Sequence, residues 1–202
     1  MKKVIFGIAL FMFFGLNSLY AQEMLNPKED FLFDGKYFDP YSPYVTIGAG
    51  YGANFQQQEG EQNVAVDFHM NFNELATNLG YFSSTDRFLD GGGGLRQHHS
   101  RQRLHDIHLG AGWRHERLKH NFAIYGGVSF AAGRTPTLTE EGNEAFIVRR
   151  TPGVYMQAHY SHKPAYDVGY GATLYFAYSR FFKIVGVQAH IFLSSAFKAY
   201  NR

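Results

Sequence analysis

From Tyr44 to Phe55 every odd position is apolar (Val45, Ile47, Ala49, Tyr51, Ala53, Phe55), and the even positions between them are Thr46, Gly48, Gly50, Gly52 and Asn54. The alternation returns from Gln62 to Asn73, with Val64, Val66, Phe68, Met70 and Phe72 on one side. Asn63, Ala65, Asp67, His69, Asn71 and Asn73 occupy the other. Successive side chains of a strand point to opposite faces, so both stretches read as strands with one apolar face. The polar face is the informative one. A soluble sheet fills its wet face with Lys and Glu, whereas this one holds Gly, Ser, Thr, Asn, Gln, Tyr and His and leaves most charges between the strands. That arrangement predicts an all-β chain, an antiparallel up-and-down transmembrane β-barrel that is apolar toward lipid and polar toward a narrow lumen.

The start of the chain agrees with export. Lys2 and Lys3 precede an apolar run from Val4 to Leu16, and Leu19, Tyr20 and Ala21 offer a cleavage site before Gln22. This is the pattern of a secretory signal peptide, and the run is too short for a spanning helix of about 20 residues. Removing residues 1–21 takes Lys2 and Lys3 from the 19 basic residues and leaves 17 against 17 acidic ones. A balanced chain has no global field for nucleic acid. With no cysteine, no disulfide framework is available, so stability must come from burial, a closed ladder or the membrane. The 20 Phe and 14 Tyr suit a barrel, whose aromatic residues gather at the two membrane–water interfaces.

Pattern counting predicts about eight strands. Beyond the first two, they fall at 75–83, 102–114, 121–132, 154–161, 168–178 and 184–193. Compact turns are expected near Glu74, Glu116 and Lys163, with longer connections at 84–101 and 133–153. Short periplasmic turns and longer outer loops are usual in outer-membrane barrels, which places both termini in the periplasm of a Gram-negative bacterium. The organisation expected is a signal peptide at 1–21, an aromatic-rich arm at 22–43, the barrel at 44–194 and a tail at 195–202. In architecture the chain resembles small eight-stranded outer-membrane barrels of the OmpA membrane-domain, OmpX and OmpW type. That resemblance implies a closed antiparallel barrel and little about function, because one fold hosts many roles.

Strand parity sends Asp67, His69, Asp106, His108, Arg114, Tyr125, Tyr155, Gln157, His159, Gln188 and His190 into the lumen. A small barrel is only wide enough for side chains to fill, so these predict a hydrogen-bonded plug in which Asp67 and Asp106 accept from Arg114 and the histidines. A metal or proton site built from His69, His108, His159 and His190 with an Asp is the sharper alternative. The expectation is that no metal and no cofactor is required.

Arg96, Arg101 and Arg103 form a basic cluster that would suit lipopolysaccharide phosphates at an outer rim. His159 and Ser161 lie two apart on one face, a spacing similar to that of outer-membrane lipid A deacylases. The stretch from Val154 to Phe176 has a single acid, Asp167, which lies in a turn, so a catalytic set is incomplete. In the arm, Phe31, Phe33, Tyr37 and Phe38 are candidates for docking a partner, since disorder selects against aromatics and interfaces favour them. The same segment would alternatively fold back on the mouth of the barrel. Together these features predict a non-enzymatic barrel serving as a structural or accessory subunit of an outer-membrane assembly. The other readings are a lipid-modifying enzyme and a surface adhesin that binds through its outer loops.

Overall fold

A computed structural model describes residues 32–33, 36–55, 59–72, 75–85, 103–138, 144–165 and 167–199. The chain divides into two units, residues 1–37 with 199–202, and 38–198. In the first, β1 (Leu32–Phe33) runs antiparallel to β2 (Lys36–Phe38), with Leu32 opposite Tyr37 and Phe33 opposite Lys36.

The second unit holds a ring of eight long strands. These are β3 (Tyr44–Asn54), β4 (Glu59–Phe72), β5 (Leu75–Thr85), β6 (Arg103–Glu116), β7 (His120–Leu138), β8 (Glu144–Ala165), β9 (Val168–Ser179) and β10 (Lys183–Ser194). Each pairs antiparallel with its sequence neighbours, and β10 closes on β3. A short strand, β11 (Phe197–Ala199), follows.

Closure fixes the stagger. Cross-strand partners lead from Val45 through Phe68, Leu79, Leu109, Val128, Val154 and Tyr178 to Lys183. The carbonyl of Lys183 then accepts from the N–H of Phe55 at 2.9 Å. The path has climbed from residue 45 to residue 55 on one strand, and such a stagger tilts eight strands by about 40° from the barrel axis.

Alternation divides the faces as expected. Val128 and Leu174 are each 63% exposed and Ile107 and Leu109 57%, while their strand neighbours Ser129, Thr173, Asp106 and His108 are buried. An apolar surface this continuous has no place in water and matches the lipid-facing band of a barrel. Two aromatic girdles bound it, with Trp113, Tyr160 and Tyr170 toward the terminal end and Tyr51, Tyr81 and Tyr178 toward the other. On β9 the girdle residues Tyr170 and Tyr178 are separated by about 20 Å along the axis, given roughly 3.3 Å per residue and the strand tilt.

One expectation fails. Within 133–153, expected as a long connection, residues 133–138 and 144–153 are paired strand: Gly133 lies opposite Arg149, Thr135 opposite Ile147 and Leu138 opposite Glu144. The β7–β8 hairpin therefore runs past the rim where β6 and β9 stop pairing with it. Pro136 and Pro152 both occupy rungs of the β7–β8 ladder that require no donor toward the partner strand. Glu61, just before the alternation that begins at Gln62, also lies within β4.

Inward glycines make room for large neighbours or for close strands. A Cβ at inward Gly50 would meet the backbone of Val187 and Gln188, whereas at Gly126, which shares the outward parity of Val128 on β7, the nearest atom is 3.8 Å away. Gly50→Ala is accordingly expected to cost about 1–3 kcal/mol through overpacking against atoms that cannot rotate away, with Gly126→Ala near neutral. Urea unfolding of the barrel refolded in vesicles measures the difference.

Candidate functional site

The lumen is filled by layers of polar side chains. At the terminal end, Arg114 donates from Nη1 to the carbonyl of Ser42 at 2.7 Å and from Nε to Asn121 Oδ1 at 3.1 Å. Its guanidinium lies 4.2 Å above the Tyr44 ring and pairs with Glu116. Lys163 Nζ reaches the same carboxylate at 2.5 Å and sits 4.9 Å from the Phe38 ring and 5.6 Å from that of Phe192. These charged side chains are buried only because each finds a partner.

Above them, Tyr44 stacks on His69 with centroids 4.2 Å apart, and its hydroxyl bonds Tyr125 at 3.0 Å and His159 at 2.8 Å. His69 Nε2 bonds Thr46 at 3.1 Å. His190 lies between the hydroxyls of Ser161 at 2.7 Å and Thr173 at 2.8 Å. The next layer centres on His108, whose Nε2 is 2.8 Å from Asp67 and whose Nδ1 is 3.3 Å from Asp106. Gln157 donates to Asp67 at 3.4 Å, and Tyr155 donates to Asn78. Farther up, Gln188 donates to Asn63 at 2.6 Å, and Asn63 donates to Tyr175 at 2.7 Å. At the loop end Glu61 accepts from Asn54 at 2.8 Å and from Ser84. Phe82, Leu104, Ala131, Phe182 and Ile184 close that end with an apolar cluster.

The space left between His108, Asp106, Tyr155 and Gln188 is about 20 Å³. That holds about one water molecule. Asp106 Oδ2 borders this layer and has no protein hydrogen-bond partner.

The residues expected inside are inside, but their pairing differs from expectation. Asp67 and Asp106 share His108, as parity suggested, while Arg114 belongs to Glu116, Ser42 and Asn121. Arg114 and the two aspartates lie in different layers because the strand stagger sets height, which parity does not encode. Among the described residues no three His, Asp or Glu side chains converge in ligating geometry. His69, His159 and His190 adjoin one another, with centroids 5.0 Å and 5.7 Å apart, while His108 sits with its aspartates. The hydroxyl of Ser161 faces His190 and not His159, and the other nitrogen of His190 meets a threonine where a catalytic set needs a carboxylate. Ser161 is fully buried in the lumen, away from any lipid chain.

Glu61, Glu116, Lys163 and Tyr175 are interior groups that pattern reading missed, three of them through assignment to loops and turns. Phe38 is buried within the barrel unit against Lys163. Phe33 and Tyr37 lie on β1 and β2, and Phe31 falls outside the described residues, as do Arg96 and Arg101. Arg103 opens β6.

No protein-family model and no curated protein matches the chain. Solved structures do. Ail, the attachment invasion locus protein of Yersinia pestis, aligns with a TM-score of 0.52 at 9% identity, covering 76% of this chain and 97% of that one. Neisserial surface protein A aligns with a TM-score of 0.50 at 11% identity, covering 76% and 96%. The fold is that of a small outer-membrane β-barrel. Ail in complex with the heparin analogue sucrose octasulfate aligns comparably, with a TM-score of 0.50 at 10% identity over 76% of this chain and 97% of that one. Identities this low establish shared architecture and carry over no ligand.

Proposed function

We propose that the protein is a non-enzymatic barrel of the Gram-negative outer membrane, with both termini periplasmic, acting as a structural or accessory subunit of a larger outer-membrane assembly. The observation that carries this reading is the filled lumen. Hydrogen-bonded layers run from Arg114 to Glu61, and the apolar cluster of Phe82, Leu104, Phe182 and Ile184 covers the loop end. An interior so occupied supplies neither a conduit nor an accessible reactive group, so the work falls to surfaces outside the lumen. Outer-membrane lipid, including lipopolysaccharide, surrounds the apolar band, and protein partners engage what projects beyond it.

Gentle solubilisation of envelopes, followed by native electrophoresis and mass spectrometry of the affinity-purified protein, tests the proposal. The expected result is migration well above the monomer with a reproducible set of outer-membrane partners. Migration as a lone barrel, with no enriched protein, would overturn it.

The protruding β7–β8 hairpin favours one second reading, a surface binder. Arg134 and Arg150 are exposed on it, and Ail, which shares the fold, has been seen with a sulfated ligand.

A further inference from the structure

The two sides of β8 are paired over different lengths. Against β7 the register runs from Glu144 to His162, but against β9 it begins only at Gly153, opposite Ser179. Residues 144–152 thus have a ladder on one side alone among the described residues. On the other arm of the hairpin, β6 accompanies β7 only as far as Gly133, opposite Leu104.

Ladder phase identifies the backbone groups on each open edge. The N–H of Lys163 donates to the carbonyl of Lys119 at 2.8 Å, and this pair continues the β7–β8 register just beyond His120 opposite His162. Odd-numbered residues therefore bond between β7 and β8, and even-numbered ones direct N–H and C=O away from that ladder. Pro136 and Pro152 are both even, so neither removes a bond from the hairpin.

Their effects on the two edges differ. Pro136 deletes the middle donor between Arg134 and Leu138 and blunts the edge of β7. Pro152 deletes the donor that would extend the β8–β9 ladder one rung beyond Gly153, and so ends that ladder. Above it the donors of Phe146, Val148 and Arg150 are uninterrupted. This edge is also flanked by positive charge. Arg149 is held 4.7 Å above the Phe181 ring and donates to Thr135 at 3.3 Å, Arg150 is exposed on the opposite face, and Arg180 lies 5.4 Å from the Phe181 ring.

We propose that the β8 edge from Phe146 to Arg150 accepts an extended, acid-bearing segment of a partner protein as an additional strand. Main-chain hydrogen bonds supply the attachment, and the guanidinium groups, one on each face of the hairpin, select acidic side chains on both faces of the added strand. The proposal rests on the accessory-subunit reading and names the docking element and the chemistry of its partner.

The full-length protein in phosphatidylcholine vesicles is titrated with a capped, labelled eight-residue peptide of alternating threonine pairs and glutamate pairs, which carries acids on both faces when extended. Val148→Pro removes a donor from the open edge and none from the hairpin, Val148→Ala controls for the side chain, and Arg149→Glu with Arg150→Glu reverses the local charge. Wild type and Val148→Ala are expected to bind alike. Val148→Pro, and a probe N-methylated at alternate residues, are each expected to lose tenfold or more, and the charge reversal to abolish binding. Full binding by Val148→Pro together with loss on charge reversal would overturn strand addition in favour of a polyanion surface. No binding by wild type would overturn the proposal altogether. In envelopes, a Val148→Pro protein that keeps its high-mass complex would exclude this edge while leaving the accessory role standing. A wild-type protein that binds peptide yet runs as a monomer would do the reverse.

Discussion

Glu116→Gln is expected to destabilise the barrel by about 3–5 kcal/mol, the cost of breaking a buried ion set by removing one member. The Glu116 carboxylate lies between Arg114 and Lys163, and the three side chains are at most 1% exposed. Losing the negative charge leaves two cations in a closed space with no anion between them. Adding Lys163→Met to the variant removes one of those cations. Arg114 then keeps its bonds to Ser42 and Asn121 and the face of Tyr44, so the double variant is expected to be more stable than Glu116→Gln alone. That reversal is the signature of a charge deficit and not of lost packing. Urea unfolding in vesicles, checked by the heat-modifiable shift of the folded band on gels, measures both. A Glu116→Gln protein within 1 kcal/mol of wild type would mean that water reaches the cluster. The same set ties residue 42 to the barrel wall through the Arg114–Ser42 bond, so its loss should also loosen the chain entering β3.

The faces of all eight strands were legible because a period of two is a local property: Ile107, Leu109 and Trp113 face out and Asp106, His108 and Arg114 face in, as alternation requires. Two things were not local. Height in the lumen depends on stagger, which exists only once the ring closes, so parity put Arg114 with Asp67 when its carboxylate is Glu116. The partner of Glu116, Lys163, is 47 residues away, and the sequence places both in compact turns. Charge near a turn implies exposure, and the ladder instead carries these side chains inside. Strand ends were the other weakness. The stretch 133–153 reads as a long connection, yet the phase that lets Pro136 and Pro152 sit in the β7–β8 hairpin emerges only from its register. The aromatic arm reads equally as a docking element or as a segment folded on the barrel mouth, and Phe38 is buried against Lys163 within its unit.

Arginine at Val66, Leu109 or Leu174 is expected to cost about 2–4 kcal/mol, the penalty for a cation near the midplane on the lipid face of a barrel. The three positions fall at similar depth between the aromatic girdles, on β4, β6 and β9, and are 47%, 57% and 63% exposed to the surroundings of the barrel. In water, exposure of that degree would make the substitutions harmless. In lipid the guanidinium must thin the bilayer or stretch toward a headgroup, and the energy appears as lost folding. Val148, 60% exposed on the hairpin beyond the rim, supplies the contrast, and arginine there should be nearly silent. Folding into vesicles with thicker acyl chains should widen the gap between the two sets, because depth increases at the inner positions and remains zero at Val148. Equal tolerance at all four sites would remove the apolar belt from the membrane and with it the barrel's placement there.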